Sequence, residues 1–409
     1  RRLEVPEMVH YIDSFETPFY SFTAKAVKGK EKTDDYKFYT HEKRPIPTFA
    51  YVKIAGTWST DPEGSKTMTF TPSRASAGTA DASYWTENQT IKFSNPARRV
   101  AARVIDVNYS TNVVTIKQIT ASPATPSAND LITFTAPAYM DGDVAGTVIS
   151  KDTTRDWNVT QIMRMPIEVT ARMAASKLHG PDKLSLMKRD TIRSWKRQVE
   201  AQFLIGERYE DTSGNHEVTT SEGVITWLNR ASTDGNTDVQ IITLADLSLY
   251  KYDDFMGDME KAFRFKSSKE KYAFCSRNVL AQFNKILFWD KSGGTAPVGR
   301  FNLDSRTNEY GIDIQSVKTA FGTLHLMESG VLTGDFQALT DEASQLGYDN
   351  TMLICDPAGF RQRVLQDVHW KKIIRSDGAA LVGSEELYAD IGLEMSLPEN
   401  HCIIKFTEG

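Results

Sequence analysis

His325 and Glu328 stand three residues apart in the stretch GIDIQSVKTAFGTLHLMESG at 311–330. A general base with a carboxylate partner, or two ligands of a metal, would use these residue types. A three-residue step brings side chains together only on a helix, because side chains along a strand alternate between faces. The Thr, Gly and alternating apolar residues around the pair predict strands. Thr323, His325 and Met327 then share one face and Leu324, Leu326 and Glu328 the other. The expectation is two strands joined at Ala320-Phe321-Gly322, with Gly322 easing the bend, and no site.

Cys275 and Cys355 each close a short apolar run before an expected helix start, where the helix dipole lowers a thiol's pKa. A Cys–His nucleophile with His325 or His369 is conceivable on that ground. A Cys ending an apolar strand nevertheless packs as a small hydrophobe. With Cys402 these make three scattered cysteines, without the short spacings of a zinc site or a disulfide framework, which favours a reducing compartment. DTSGNHE at 211–217 begins like a calcium loop but loses that spacing after Asn215, so a polar turn is expected. Lys291-Ser292-Gly293-Gly294 lacks the order of a phosphate-binding loop. No catalytic residue, cofactor or metal is expected, and the chain is not expected to be an enzyme.

The elements that would position such residues fall into an α+β order. Residues 1–35 are expected to form an arm. YIDSFETPFYSF carries Phe15, Pro18, Phe19, Tyr20 and Phe22 and is followed by the charged run KGKEKTDDYK. So short an aromatic segment cannot build its own core, and its rings pack against this chain's body or a neighbour's. Residues 36–165 have a β texture, clearest in the hairpin RVIDVNYSTNVVTIKQI with its turn at Ser110-Thr111-Asn112. A small inserted β-domain is expected at about 97–150.

A helix is expected from Pro181 to Ile205, roughly 37 Å long. Leu184, Met187, Ile192, Trp195, Val199 and Phe203 form its apolar stripe. Lys188, Arg189, Arg193, Lys196 and Arg197 cluster on the remaining surface. They form either a solvated face, helped by an i,i+4 pair Lys196–Glu200, or a basic stripe offered to a polyanion. Further on, Leu249–Phe263 reads as a helix. Two strand–helix units follow, one at Tyr272–Cys275 with Ser276 as cap, the other at Met352–Cys355 with Asp356 as cap and Pro357 opening the helix. DKSGGTAPVGR between them is a glycine-rich loop.

The chain has 409 residues, 40% hydrophobic and 25% charged, so it suits two or three globular domains. A formal net charge of −5 argues against a dedicated nucleic-acid binder. No run approaches the apolar length of a membrane span. Arg1-Arg2 opens without an initiator Met, as expected of a truncated or proteolytically matured start.

The order of parts is similar to that of tailed-phage major capsid proteins with the Hong Kong 97-type fold, in the branch typified by phage SU10. The resemblance is carried by Thr17-Pro18-Phe19, Asn158-Val159-Thr160-Gln161-Ile162, the helix end from Glu200 to Gly206, and Tyr310-Gly311 with Phe321-Gly322-Thr323-Leu324. Together these motifs span most of the chain, and the 97–150 segment departs from the pattern. The resemblance implies an N-terminal arm and an extended E-loop, a peripheral domain at 166–235 with a spine helix, an axial domain at 236–380, and strands at 381–409 returning to the peripheral domain.

The same resemblance implies a shell subunit, assembling as hexamers and pentamers into an icosahedral capsid around double-stranded phage DNA. The expected partners are copies of itself, with scaffold, maturation protease, portal and decoration proteins. DNA would be touched weakly and without sequence preference by the basic stripe, and no membrane is involved. The place is the virion, assembled in the bacterial cytoplasm. Arm residues Phe15, Pro18, Phe19, Tyr20 and Phe22 would make subunit contacts. The competing readings are an encapsulin-like compartment shell and a β-rich tail or adhesion protein.

Overall fold

The computed structural model is of mixed helix-and-sheet class. Outside the described residues lie 1–16, 27–28, 61, 63, 75–77, 95–99, 121–123, 140, 143–152, 171–182, 215, 235, 237, 245–249, 251, 266–267, 289–302, 310–311, 334–347, 349, 373–383 and 407–409. Phe15, the Gly180-Pro181 helix start, the 290–300 loop and the Tyr310-Gly311 motif therefore lie outside them. The helices are α1 (Pro18–Ser21), α2 (Lys183–Ile205), α3 (Val224–Thr233), α4 (Tyr252–Ala262), α5 (Arg277–Phe288) and α6 (Gly330–Thr333). The chain divides into two compact units, residues 1–41 with 155–409 and residues 42–154.

The first unit is built around a mixed seven-stranded sheet in the order 240–244, 402–406, 351–355, 270–275, 323–328, 312–318, 303–309. Its central strands read TMLIC, CIIKF and EKYAFC, and they are buried on both faces. Alternation divides their side chains between two cores. Ala273, Cys275, Met352, Ile354, Cys402 and Ile404 join Phe255, Met259 and Phe283 of α4 and α5. Phe274, Leu353, Cys355 and Ile403 join Trp195, Val199 and Phe203 of α2 and Trp227 of α3.

A four-stranded sheet lies in the same unit, ordered Lys30–Lys32, Phe360–Lys372, Glu385–Met395, Gln161–Ile167. Leu387, Ala389, Ile391 and Leu393 alternate inward to the core that holds α2. The long helix expected from Pro181 is described from Lys183, so its 23 residues span roughly 34 Å.

Three expectations need correction here. The helix expected after Pro357 is a single 3-10 turn, Pro357–Gly359, followed by the thirteen-residue strand Phe360–Lys372. Asp356 does cap the turn, accepting the Ala358 N–H at 2.9 Å. Beyond it the two-residue alternation of buried Phe360, Gln362 and Val364 sets a strand. The division into 236–380 and 381–409 also fails as a division of sheets. Strand 360–372 pairs with 385–395 in the four-stranded sheet, whereas 402–406 pairs with 351–355 in the seven-stranded one.

The third correction concerns the insertion. Residues 42–154 form a compact unit instead of an extended loop, and its strands begin at Phe49 instead of near 97. Strands 49–54, 131–134, 90–93, 101–108, 113–118 and 66–73 pair antiparallel in that order, and 66–73 pairs back to 49–54. That closure makes a barrel. Val52, Phe70, Trp85, Phe93, Val104 and Ile132 fill it. The expected hairpin is present as 101–108 and 113–118, with Asn112 in the left-handed region at φ 53°.

Candidate assembly surfaces

The strand pair 312–318 and 323–328 is in place, antiparallel, with Ser316 opposite His325. His325 Nδ1 lies 2.8 Å from Ser316 Oγ, and its ring rests 4.9 Å from Tyr272. Glu328 instead pairs with Arg277 at 2.8 Å. The two residues have separate partners and make no common site. Gly322 has a different role from the one expected. A Cβ there would stand 2.5 Å from the Lys269 carbonyl oxygen and 2.6 Å from the Phe263 ring, so Gly is required by close approach.

All three cysteines are buried and free. Burial pushes the Cys275 and Cys355 thiols far above their ordinary values, which removes the thiolate a nucleophile needs. Strands 209–211 and 218–220 pair antiparallel, and after the first of them Asp211 Oδ1 accepts the Ser213 N–H at 2.9 Å. Among the described residues no group of His, Cys, Asp or Glu could hold a metal, and no helix is long and apolar enough to cross a membrane.

The arm turns inward. Thr17 precedes Pro18, whose fixed φ suits the first position of α1. Phe19 is fully buried, edge-on to Phe274 at 5.0 Å and to Phe360 at 6.0 Å. Phe22 packs 4.9 Å from Tyr272, and Tyr20 meets Trp195 of α2 edge-on at 5.7 Å. Pro18 is buried with them. Pro18, Phe19, Tyr20 and Phe22 thus pack their apolar surface inside their own unit. Burying each Phe contributes about 1.5–3 kcal/mol. Further along, strand 30–32 lies parallel on 360–372, with Glu31 ion-paired to Arg361 and Arg363 and Lys30 to Asp367.

Glu200 ties the arm to α2. Its Oε2 accepts the Tyr20 N–H at 3.2 Å and its Oε1 receives Ser329 Oγ at 3.3 Å. The side chain is wholly buried, and burial pushes its pKa up to about 8 despite these hydrogen bonds. The expected pair with Lys196 is absent: Lys196 is exposed while Glu200 faces the core. A glutamate between Val199 and Phe203 of the apolar stripe was the sequence signal for this role.

The basic face of α2 is partly engaged. Lys188 pairs with Glu385 at 2.5 Å and lies 5.2 Å over the Trp370 ring. Arg189, Arg193 and Lys196 are exposed, and Arg197 is half-buried.

Sequence reasoning missed a polar hub where the chain leaves the first unit at 37–41 and returns at 155–159. Arg230 of α3 grips Glu222 through bonds of 2.8 and 2.9 Å and reaches Asp156 Oδ2 at 2.8 Å. Trp227 Nε1 donates to the same Asp156 oxygen at 2.9 Å. Burial alone would raise the Asp156 pKa, but Arg230 holds the carboxyl below its ordinary value. Lys37 Nζ and Arg208 Cζ each lie 3.9 Å from the Trp157 ring centroid. Asn158 donates to the carbonyls of Glu222 and Leu393 and accepts the Glu222 N–H at 2.9 Å. Asn158 and Thr160 came forward only as motif letters, whereas Asp156 and Arg230 had no local pattern to mark them.

Solved structures similar to this chain include those titled Microbacterium phage Oxtober96 (11% identity, TM-score 0.44, 100% of this chain and 96% of that chain) and Mycobacterium phage Bobi (10%, 0.45, 100% and 96%). The holo-SrpI encapsulin complex from Synechococcus elongatus PCC 7942 aligns over 62% of this chain and 77% of its own, at 10% identity and TM-score 0.40. At such scores these likenesses carry no argument. No curated protein matches the chain. The family model described as SU10 major capsid protein matches residues 3–408, and the chain belongs to the SU10 major capsid protein family.

Proposed function

We propose that this major capsid protein assembles as hexamers and pentamers into an icosahedral shell enclosing double-stranded phage DNA. The observation that carries the reading is the match of the family model across 3–408. As a member of that family the subunit takes the Hong Kong 97-type arrangement. In it, α2 and the four-stranded sheet form the peripheral domain and the seven-stranded sheet with α4 and α5 the axial domain. The barrel at 42–154 stands in the place of the E-loop.

Two surface features suit a shell lining that touches DNA weakly. The net charge is −5, so the subunit as a whole does not attract phosphate. The exposed cations Arg189, Arg193 and Lys196 then form a local stripe on α2, facing the packaged DNA. Scaffold, maturation protease, portal and decoration proteins complete the partner set, and assembly takes place in the host cytoplasm. The role is structural and not enzymatic.

The test is nuclease protection. Particles from infected cells should release double-stranded DNA that nuclease could not reach before disruption. Particles holding a protein cargo and no DNA would favour an encapsulin-like role instead.

A further inference from the structure

Three elements converge on the Glu200 carboxyl: the arm through the backbone N–H groups of Phe19 and Tyr20, α2 itself, and Ser329 after strand 323–328. Among the described residues no cation pairs with it. An ionised carboxylate in such a place is costly, because burial removes its water without supplying a counter-charge. The neutral acid fits better. Its O–H can donate to Ser329 Oγ, a hydroxyl able to accept as well as donate, while Oε2 still accepts the Tyr20 N–H.

We propose that Glu200 is a protonation-controlled latch for the arm, which holds segment 18–26 against α2 as a neutral acid and releases it as a carboxylate. Release gives the carboxylate access to water and frees Phe19, Tyr20 and Phe22, the same apolar set that an assembling subunit could present elsewhere. The reading stands on the intrachain geometry and does not depend on the shell model.

Other titratable and charged groups lie on each element packed around Glu200. On the arm, Tyr20 is pushed up to about 12 by burial and by Asp367. On α2, Lys196 is exposed and Arg197 half-buried, one turn before Glu200. Beside Ser329, Glu328 is held by Arg277 at 2.8 Å. The thiols of Cys275 and Cys355, in the strands below, are pushed far up by burial.

Linkage fixes the direction of the pH response. The docked carboxyl has a pKa near 8 and the released one near 4.5, so the docked state binds the extra proton between these values. Docking is strongest below the lower value and is lost as pH rises through the upper one.

Hydrogen–deuterium exchange of the full-length protein, corrected for intrinsic rates over a pH series, reads this directly. The opening constant of segment 18–26 should rise up to about tenfold per pH unit towards pH 8 and then level off. Strand 402–406 should show no such trend. Glu200→Gln, which stays neutral at every pH, should give a flat profile. A flat wild-type profile, or an equal slope in Glu200→Gln, overturns the latch; should that variant not fold, the wild-type profile decides alone.

Discussion

Phe19 of the arm stands edge-on to Phe274, the two ring centroids 5.0 Å apart at an interplanar angle of 83°. The contact joins residues far apart in sequence and makes the arm part of the core that α2 and the seven-stranded sheet share. Phe19→Ala should therefore destabilise the unassembled subunit by about 3–5 kcal/mol. Urea unfolding of the unassembled protein checks this. An unchanged midpoint would mean that the ring acts only between subunits.

The Arg230 hub should behave as a buried network. Arg230→Met leaves Glu222 and Asp156 only the longer cation contacts to Arg208, at 3.9 and 3.4 Å, and should cost up to about 3–5 kcal/mol at neutral pH. Because the Asp156 carboxyl is held below its ordinary value, its contribution is present above that ordinary value and is lost as pH falls through the lower, folded-state value. The acid limb of the stability profile should flatten in Arg230→Met. A stable variant with an unaltered acid limb would show that the hub contributes little.

His401 supplies a second pH dependence. Its Nδ1 accepts the Asp356 N–H at 3.1 Å, so Nε2 carries the proton and points to the Ser396 carbonyl at 3.3 Å. Burial lowers its pKa from 6.5 to about 4, with Lys271 adding to the effect. Stability from the neutral ring is complete above 6.5 and falls as pH drops towards 4, by up to about 1.4 kcal/mol per unit. His401→Gln should lose that slope in denaturation measured from pH 7 to pH 4. Retention of the slope would assign it to another group.

Two glycines separate space from conformation. Gly322→Ala forces a Cβ against the Lys269 carbonyl and the Phe263 ring and should cost about 1–3 kcal/mol. Gly257 lies in α4 with open space around its Cβ position, so Gly257→Ala should stabilise by about 0.5–1 kcal/mol. Thermal unfolding of both variants should move the midpoint in opposite directions. Shifts of the same sign would contradict the packing described around Gly322.

Local periodicity made parts of both units legible. The strand pair around Gly322, the long helix and the 103–118 hairpin are each set by alternation or by three- and four-residue steps. Strand 360–372 was not legible because Asp356-Pro357 is a good helix opening. Its long-range pairing with 385–395 overrides that local signal. The barrel's extent was hidden for a related reason: strands 49–54 and 66–73 join the 101–118 hairpin only through non-local pairing. For the arm, the pattern of rings showed that they must be covered but not by what. The polar hub around Arg230 draws on residues as far apart as Lys37 and Leu393, and no local spacing could reveal it.

Shell formation by this subunit is tested most directly by cryo-electron microscopy of particles formed by the full-length protein, expressed alone or with its scaffold and protease. Closed icosahedral shells are the predicted result, with this chain in both five-fold and six-fold capsomers. A strictly monomeric protein at high concentration, with no closed shells under either condition, would contradict it.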